Sequence, residues 1–258
     1  MIELINAGFS VGKKILVKNI SLQINAGEFV VVMGANGAGK STLLKMMSGA
    51  LQPGTGEILF KGRSPEQYKT EELAKQRAVL SQHYHISFPL SAKEIVMMGR
   101  YPYFNNQPLT KDEEIVTDRM NRMEVADLSE RNYQTLSGGE AQKVQMCRVL
   151  AQIGETSRDN PKLLLLDEPV SHLDIKYQHQ LLKEAKELCK QNVAVLAVLH
   201  DVNLALKYAD RILFMKDGEL VKELNKKEAI TASLLQEVFD IHANIFDMPD
   251  GKGKFVSY

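Results

Sequence analysis

The chain has 258 residues, 44% apolar and 25% charged, which fits one large globular domain or two small ones. Lys plus Arg and Asp plus Glu each total 32, so net charge gives no reason to propose a nucleic-acid partner. Cys147 and Cys189 form no CxxC pair, which gives no support for zinc or dithiol redox chemistry and fits a reducing compartment.

The first segment, MIELINAGFS, lacks the basic and apolar regions of a secretory leader, so none is expected. Residues 1–33 read as short strands. KILVKNISLQI alternates in part through Ile15, Val17, Ile20, Leu22 and Ile24, NAGE makes a turn, and FVVVM reads as a fully buried strand. KSTLLKMMSGALQP predicts a helix that Gly and Pro end. GTGEILFKG predicts a strand between turns, residues 70–77 a polar helix, and RAVLSQ a short strand. From about His83 to Gln134 the texture changes. SAKEIVMMGR, TKDEEIVTDRMNRM and EVADLS carry helical spacing, so residues 83–135 are expected to form a helical insert without strands. LSGGEAQKVQMCRVLAQI predicts a long helix, GETSRDNP a polar loop, and KLLLLDEP a second buried strand. IKYQHQLLKEAKELCKQ predicts a helix, VAVLAVLHD a third buried strand, and VNLALKYA another helix. DRILFMKDGELVKEL reads as a hairpin about Asp217-Gly218, KKEAITASLLQEVFDI as a helix, and ANIFDMPDGKGKFVSY as two last strands.

Continuous apolar strands alternating with helices predict an α/β fold with a mainly parallel sheet covered on both faces. The alternating strands at the front predict an added antiparallel piece. No apolar run approaches the roughly 18 residues that span a bilayer, so any spanning is expected of another chain.

GANGAGKS, from Gly34 to Ser41, fits the P-loop pattern G-x-x-x-x-G-K-[ST], with a predicted strand before it and a helix after it. A phosphate chain must approach backbone N–H groups closely, and side chains at the glycine positions would obstruct it. The first turn of the following helix supplies unpaired donors and partial positive charge. Lys40 adds a point charge for the outer phosphates, and Ser41 Oγ can ligate Mg²⁺. By itself the loop says only nucleoside triphosphate. LLLLDE, ending in Asp167 and Glu168, places two carboxylates at the carboxyl edge of the sheet, where open α/β folds bind ligands. Asp167 can hold Mg²⁺, often through water, and Glu168 can polarise an attacking water. LSGGE, from Leu136 to Glu140, offers a second bed of helix N–H groups beside Ser137. A plain helix cap accounts for that spacing equally well. A second anion site in one chain makes sense if two copies meet head to tail, each closing the other's nucleotide.

In combination these segments resemble the ATP-binding cassette (ABC) ATPases, in the order that family uses and over almost the whole chain. Walker A is Gly34–Thr42, the Q-loop residue is Gln82 in AVLSQ, and the signature is LSGGE. Walker B is LLLLDE, the D-loop is Ser171–Asp174 in SHLD, and the switch histidine is His200 in VLHD. The resemblance implies a P-loop core with the antiparallel β subdomain over 1–82 and 136–258, and the helical subdomain over 83–135. It implies that Gly34, Asn36, Gly37, Ala38, Gly39, Lys40, Ser41 and Thr42 hold the triphosphate of ATP, with Ser41, Gln82 and Asp167 at Mg²⁺. Glu168 would be the catalytic base, His200 would contact the γ-phosphate, and Gln82 would sense it and couple it to the helical subdomain. Ser137, Gly138 and Gly139 would act across the interface of a homodimer, and Asp174 would carry communication between its two sites. The family places an aromatic residue on adenine just before an N-terminal glycine. Here Val11 precedes Gly12, and Phe9 is the candidate two residues earlier. Val170 stands where threonine is more usual, at a position not expected to touch phosphate.

Only 53 residues separate Gln82 from Leu136, which leaves no room for the long coiled coil of DNA-repair relatives. VMMGRYPY followed by an acidic helix is similar to the importers of iron-siderophores, cobalamin and heme. The insertion GETSRDNPK and the segment SHLDIKYQHQLL are most like heme importer ATPases. That resemblance implies two transmembrane permease subunits as partners, an indirect link to a substrate-binding protein, no nucleic acid, and a peripheral place on the cytoplasmic face of the membrane. Iron-siderophore or cobalamin cargo is the alternative. A soluble ABC ATPase would call for two cassettes, basic extensions or a long insert. A regulator without turnover fits poorly with Asp167-Glu168. His83 and His85 in QHYHISF, without further nearby ligands, are expected near the permease surface rather than at a metal. Met97, Met98, Met120 and Met123 read as adaptable packing of the insert or as the lining of a groove for a permease helix.

Overall fold

The computed structural model describes residues 1–82, 86–154, 159–226, 228–248 and 253–258. His83 and His85, and residues 155–158 of the insertion before Walker B, lie outside the described residues. The chain begins with Ile2–Val11 (β1) and Lys14–Ile24 (β2), then Phe29–Met33 (β3), Lys40–Met47 (α1), Thr55–Phe60 (β4), Thr70–Gln76 (α2) and Arg77–Leu80 (β5). Ala92–Met97 (α3), a 3₁₀ segment over Met98–Tyr103 and Thr110–Arg122 (α4) are the main helical elements of the insert. Gly138–Ile153 (α5), Lys162–Asp167 (β6), Ile175–Lys190 (α6), Val193–Val198 (β7), Val202–Tyr208 (α7), Arg211–Lys216 (β8) and Glu219–Asn225 (β9) complete the core. Ala232–Phe239 (α8), Asn244–Asp247 (β10) and Lys254–Ser257 (β11) close the chain.

The main sheet runs β5-β6-β7-β3-β8-β9, parallel through β8 with β9 antiparallel at the edge. Every residue of β3, β6 and β7 is buried, because both faces of these strands are covered. Alternate residues feed opposite layers. Phe29, Val31, Met33, Leu164, Leu166, Val195 and Ala197 join the core beneath the helices. Val30, Val32, Leu163, Leu165, Leu196 and Val198 join a second core with Leu43, Leu44, Met46 and Met47 of α1. That second layer is closed by the antiparallel sheet β2-β1-β4, through Ile2, Leu4, Ile20, Ile24 and Phe60. One face is thus covered mainly by helices, the other by α1 and a second sheet.

The antiparallel front, the Asp217-Gly218 hairpin and the two terminal strands form as the sequence predicts. Element ends differ where caps intervene. The predicted helix over 226–241 begins only at Ala232, because the Thr231 hydroxyl accepts from the Leu234 N–H at 3.2 Å and caps it there. In the insert, Met97, Met120 and Met123 are buried in the helix-side core, and Met98 is partly buried against it. Cys147 and Cys189 are buried and free, and burial pushes both thiols up, Cys189 to about 12.

α5 is the hub of the helical side. It packs on α3, the 3₁₀ segment, α4 and β5, and its buried Gln142 donates to the Pro169 carbonyl at 3.0 Å. The helix that begins at the signature is therefore tied both to the insert and to the turn after Walker B.

Candidate functional site

β3 ends at Met33, and the chain turns at Gly34 into the glycine loop. The loop glycines meet different demands. A Cβ on Gly34 would lie 2.2 Å from the Met215 carbonyl oxygen, and one on Gly39 would lie 2.2 Å from that of Leu16. These two let the loop press against β8 and β2. Gly37 has φ of 83° with nothing within 4 Å of its missing Cβ, so its glycine permits the left-handed turn and leaves the approach open. Gly39 is the N-cap of α1 and offers no side-chain cap. The first-turn N–H groups of α1 are thus left for an anion.

Lys40 is 6% exposed and folds back on its own loop, where Nζ donates to the carbonyls of Gly34 at 2.8 Å and Ala35 at 2.9 Å. Burial pulls its pKa below the usual lysine range, opposed by the nearby Glu168 and Asp167 carboxylates. Ser41 Oγ donates to Asp167 Oδ1 at 3.1 Å. Asp167 is buried, and burial raises its pKa. Donation from Ser41 opposes that shift and the Glu168 charge adds to it. The pair offers a hydroxyl and a carboxylate oxygen side by side, hard oxygen donors of the kind that suit Mg²⁺.

Glu168 follows β6 with φ of 50°, an unusual conformation for a side chain larger than glycine and one that turns its carboxylate out of the strand line. Both carboxylate oxygens are engaged. Gln82 Nε2 donates to Oε2 at 2.8 Å, and His200 Nε2 lies 2.8 Å from Oε1. Gln82 comes from the end of β5, Glu168 from the end of β6 and His200 from just beyond β7, which are three neighbouring strands. Asp201 accepts from the N–H groups of Asn203 and Leu204 at 2.7 and 3.0 Å, capping α7 and fixing the turn that carries His200.

The fold therefore gathers Lys40, Ser41, Gln82, Asp167, Glu168 and His200 at one sheet edge. Asn36, Ala38 and Thr42 belong to the same loop and helix start. The remaining candidates have other partners. Among the described residues, no hydrogen bond or ion pair joins Phe9, Asp174 or Ser137–Gly139 to residues 34–42 or to Glu168. Ser137 and Glu140 form a reciprocal cap on α5, the hydroxyl accepting from the Glu140 N–H at 3.3 Å and the carboxylate from the Ser137 N–H at 2.8 Å. Gly138 and Gly139 lie against His172, where a Cβ on Gly139 would come 3.1 Å from the His172 carbonyl oxygen. Asp174 caps α6, accepting from the Tyr177 N–H at 3.1 Å. Phe9 is half-buried against the second core, while Val11 and Ile15 stand exposed at the end of the same hairpin.

Two contacts of the site were not readable from the sequence. Gln142 ties the signature helix to Pro169, and Ser171 Oγ donates to the Glu168 carbonyl at 3.2 Å. A polar residue on a buried helix face was the only signal for the first. Ser171 is read from the sequence as the start of the D-loop, without a partner.

Comparison with known proteins agrees with this arrangement. Residues 17–171 match the ABC transporter family. The hemin import ATP-binding protein HmuV of Methylobacillus flagellatus is 41% identical over 253 residues, covering 97% of this chain and 93% of that protein. The protein of the same name from Hahella chejuensis is 41% identical, covering 92% of this chain and 91% of its own. A solved dimeric ATP-binding cassette in a post-hydrolysis state, bound to ADP and Pi, superposes with a TM-score of 0.77 at 27% identity, over 89% of this chain and all of that one. With its glycine loop, paired carboxylates and signature helix in one α/β fold, this chain belongs to the ABC transporter family, as one of its ATPases.

Proposed function

We propose that the chain is the ATP-hydrolysing subunit of an importer that carries hemin across the cytoplasmic membrane. The observation that carries this reading is the 41% identity over 97% of the chain to a hemin import ATP-binding protein. In this reading ATP lies with its triphosphate over Gly34–Thr42, its phosphates taken by the open first turn of α1 and by Lys40. Lys40 exchanges its two loop carbonyls for phosphate oxygens. Ser41 and Asp167, with Gln82, would hold Mg²⁺, which would screen phosphate charge when bound. Glu168 accepts the proton of a water attacking the γ-phosphorus as the bond to the bridging oxygen of ADP breaks. His200 leaves Glu168 to meet the γ-phosphate, and Gln82 leaves it to report occupancy to the insert.

Two copies pair head to tail, so that Ser137, Gly138 and Gly139 of one cap the triphosphate held by the other, with Asp174 at the seam. Among the described residues no hydrogen bond or ion pair ties them to the glycine loop within one chain, which supports that reading by leaving the second bed of N–H groups for another copy's nucleotide. Among the described residues no helix is long and apolar enough to cross a membrane. In this reading the crossing is done by two permease chains, and the cassette sits peripherally on their cytoplasmic side. The core segments 1–82 and 136–258 and the insert 83–135 then move as units linked through Gln82.

The test is reconstitution in liposomes with a permease pair and a hemin-binding protein. Hydrolysis stimulated by hemin, and abolished in Glu168→Gln, is expected. Stimulation by cobalamin or a ferric siderophore but not by hemin would overturn the cargo and leave the ATPase reading standing.

A further inference from the structure

The segment Gly99–Tyr103 has no part in the chemistry described above, yet it is built into the far end of α5. The last turn of that helix exposes carbonyls that no helical N–H can reach. Side chains take each of them. Arg100 Nη1 donates to the Ala151 carbonyl at 2.9 Å, Tyr103 Oη to that of Gln152 at 2.7 Å, and Lys162 Nζ to that of Ile153 at 2.6 Å. Arg100 is 3% exposed, and its Nε donates to Asp112 Oδ1 at 2.8 Å. The other oxygen of Asp112 accepts from the Leu109 N–H at 2.9 Å, at the start of α4. The guanidinium lies 3.8 Å from the centre of the Tyr103 ring, and Lys162 Nζ lies 3.2 Å from Tyr103 Oη. Two glycines make room. A Cβ on Gly99 would lie 2.1 Å from the Arg148 carbonyl oxygen, and one on Gly154 would lie 2.6 Å from Arg100 Nη1.

This clamp joins three bodies at one point: α4 through Asp112, the start of β6 through Lys162, and the C-terminal end of α5. The opposite end of α5 is the signature turn. Near that end Gln142 holds the helix to Pro169. Gln142 holds one end of the axis and the clamp the other, beside the bonds of Arg148 to the Val79 carbonyl and of Gln152 to those of Ala74 and Arg77, so that loosening the clamp lets the packed helix tilt. A helix of 16 residues is about 24 Å long, so a tilt of about 5° about one end moves the other by about 2 Å. A misplacement of about 1 Å at a reacting centre can cost about 10²-fold in rate.

We propose that Arg100 is a positioning residue for the signature turn, with Tyr103 and Lys162 completing the clamp. Without touching nucleotide, it sets where Ser137–Gly139 stand when a second copy brings its ATP. The proposal rests on the head-to-tail reading of the dimer.

The experiment uses the full chain in a Glu168→Gln background, which holds ATP without turning it over. ATP-driven dimerisation is followed by analytical ultracentrifugation, and nucleotide binding by the monomer is titrated separately. Arg100→Lys keeps the charge but loses the fork and the stacking geometry, and Tyr103→Phe deletes one donor with little loss of volume. Each is expected to bind ATP as a monomer within about twofold of its parent. Each should need at least tenfold more protein to dimerise. Val256→Ala, buried on β11 and bonded to Asn203 rather than to any clamp residue, is the control for a general loss of stability and should not shift dimerisation. Clamp variants that dimerise like their parent overturn the proposal, as does an equal shift in Val256→Ala. If Arg100→Lys fails to fold, Tyr103→Phe decides alone. A parent that stays monomeric with ATP instead overturns the head-to-tail reading on which the proposal stands.

Discussion

Glu168 Oε1 lies 2.8 Å from His200 Nε2, while its other carboxylate oxygen accepts from Gln82 at 2.8 Å. The proposed base is therefore held between the two residues proposed to sense the γ-phosphate, which fix the direction of its carboxylate. Glu168→Gln preserves the shape and both partners but removes the proton acceptor. Steady-state phosphate release should fall by about 10²- to 10⁴-fold, with nucleotide affinity within a few-fold of the parent. Hydrolysis within twofold of the parent would remove Glu168 from that role.

Lys40 makes two hydrogen bonds to its own loop before any phosphate arrives. Lys40→Ala loses both that support and the charge-assisted phosphate contact, worth about 1.5–3 kcal/mol. Isothermal titration should show ATP binding weakened by about tenfold to over a hundredfold. Unchanged affinity would mean that the triphosphate lies elsewhere.

The glycine loop separates into positions packed against backbone carbonyls and one, Gly37, that faces open space and is proposed to serve the ligand. Gly39→Ala meets the Leu16 carbonyl at 2.2 Å and carries a φ of 96°. It should cost about 2–5 kcal/mol in chemical denaturation, overpacking added to left-handed strain. Gly37→Ala, with open space around it, should cost only about 1–2 kcal/mol from its φ, while weakening ATP binding markedly. The reverse order of stabilities would contradict the placement of the loop against β2.

Asp167 is buried with a raised pKa, so the folded chain holds its proton to higher pH than the unfolded chain does. The unfolded state loses that proton first. Stability therefore falls as pH rises from the ordinary aspartate range through the raised folded value, and this penalty is fully present above it. Asp167→Asn removes the penalty and can still accept from Ser41. In the absence of nucleotide at neutral pH it should raise stability by about 0.5–2 kcal/mol, the scale of a typical stabilising substitution at a functional site. It should also abolish the dependence of ATP hydrolysis on Mg²⁺ concentration by removing activity. Thermal melts of the two proteins across pH, which should converge in acid, provide the measurement.

Much of this was legible in the residues. Continuous apolar runs such as FVVVM and KLLLLD can be satisfied only by a strand covered on both faces, and a glycine-rich turn between strand and helix can scarcely be anything but a phosphate loop. Local chemistry fixes such features, because hydrophobic period and backbone freedom are properties of short segments. Spacing along the chain could not show that Gln82, Glu168 and His200 converge, since they lie on separate strands brought side by side by the order β5-β6-β7. Nor could it separate the glycines that touch backbone carbonyls from the one that faces open space. It likewise left Ser137 open between an anion bed and a helix cap, and within one chain Ser137 caps α5 and Asp174 caps α6. The tertiary structure alone decided that Arg100, read only as part of a family-like segment, reaches the end of the signature helix. Its partners lie up to 51 positions away, and a buried ion pair forms only where packing has already excluded water.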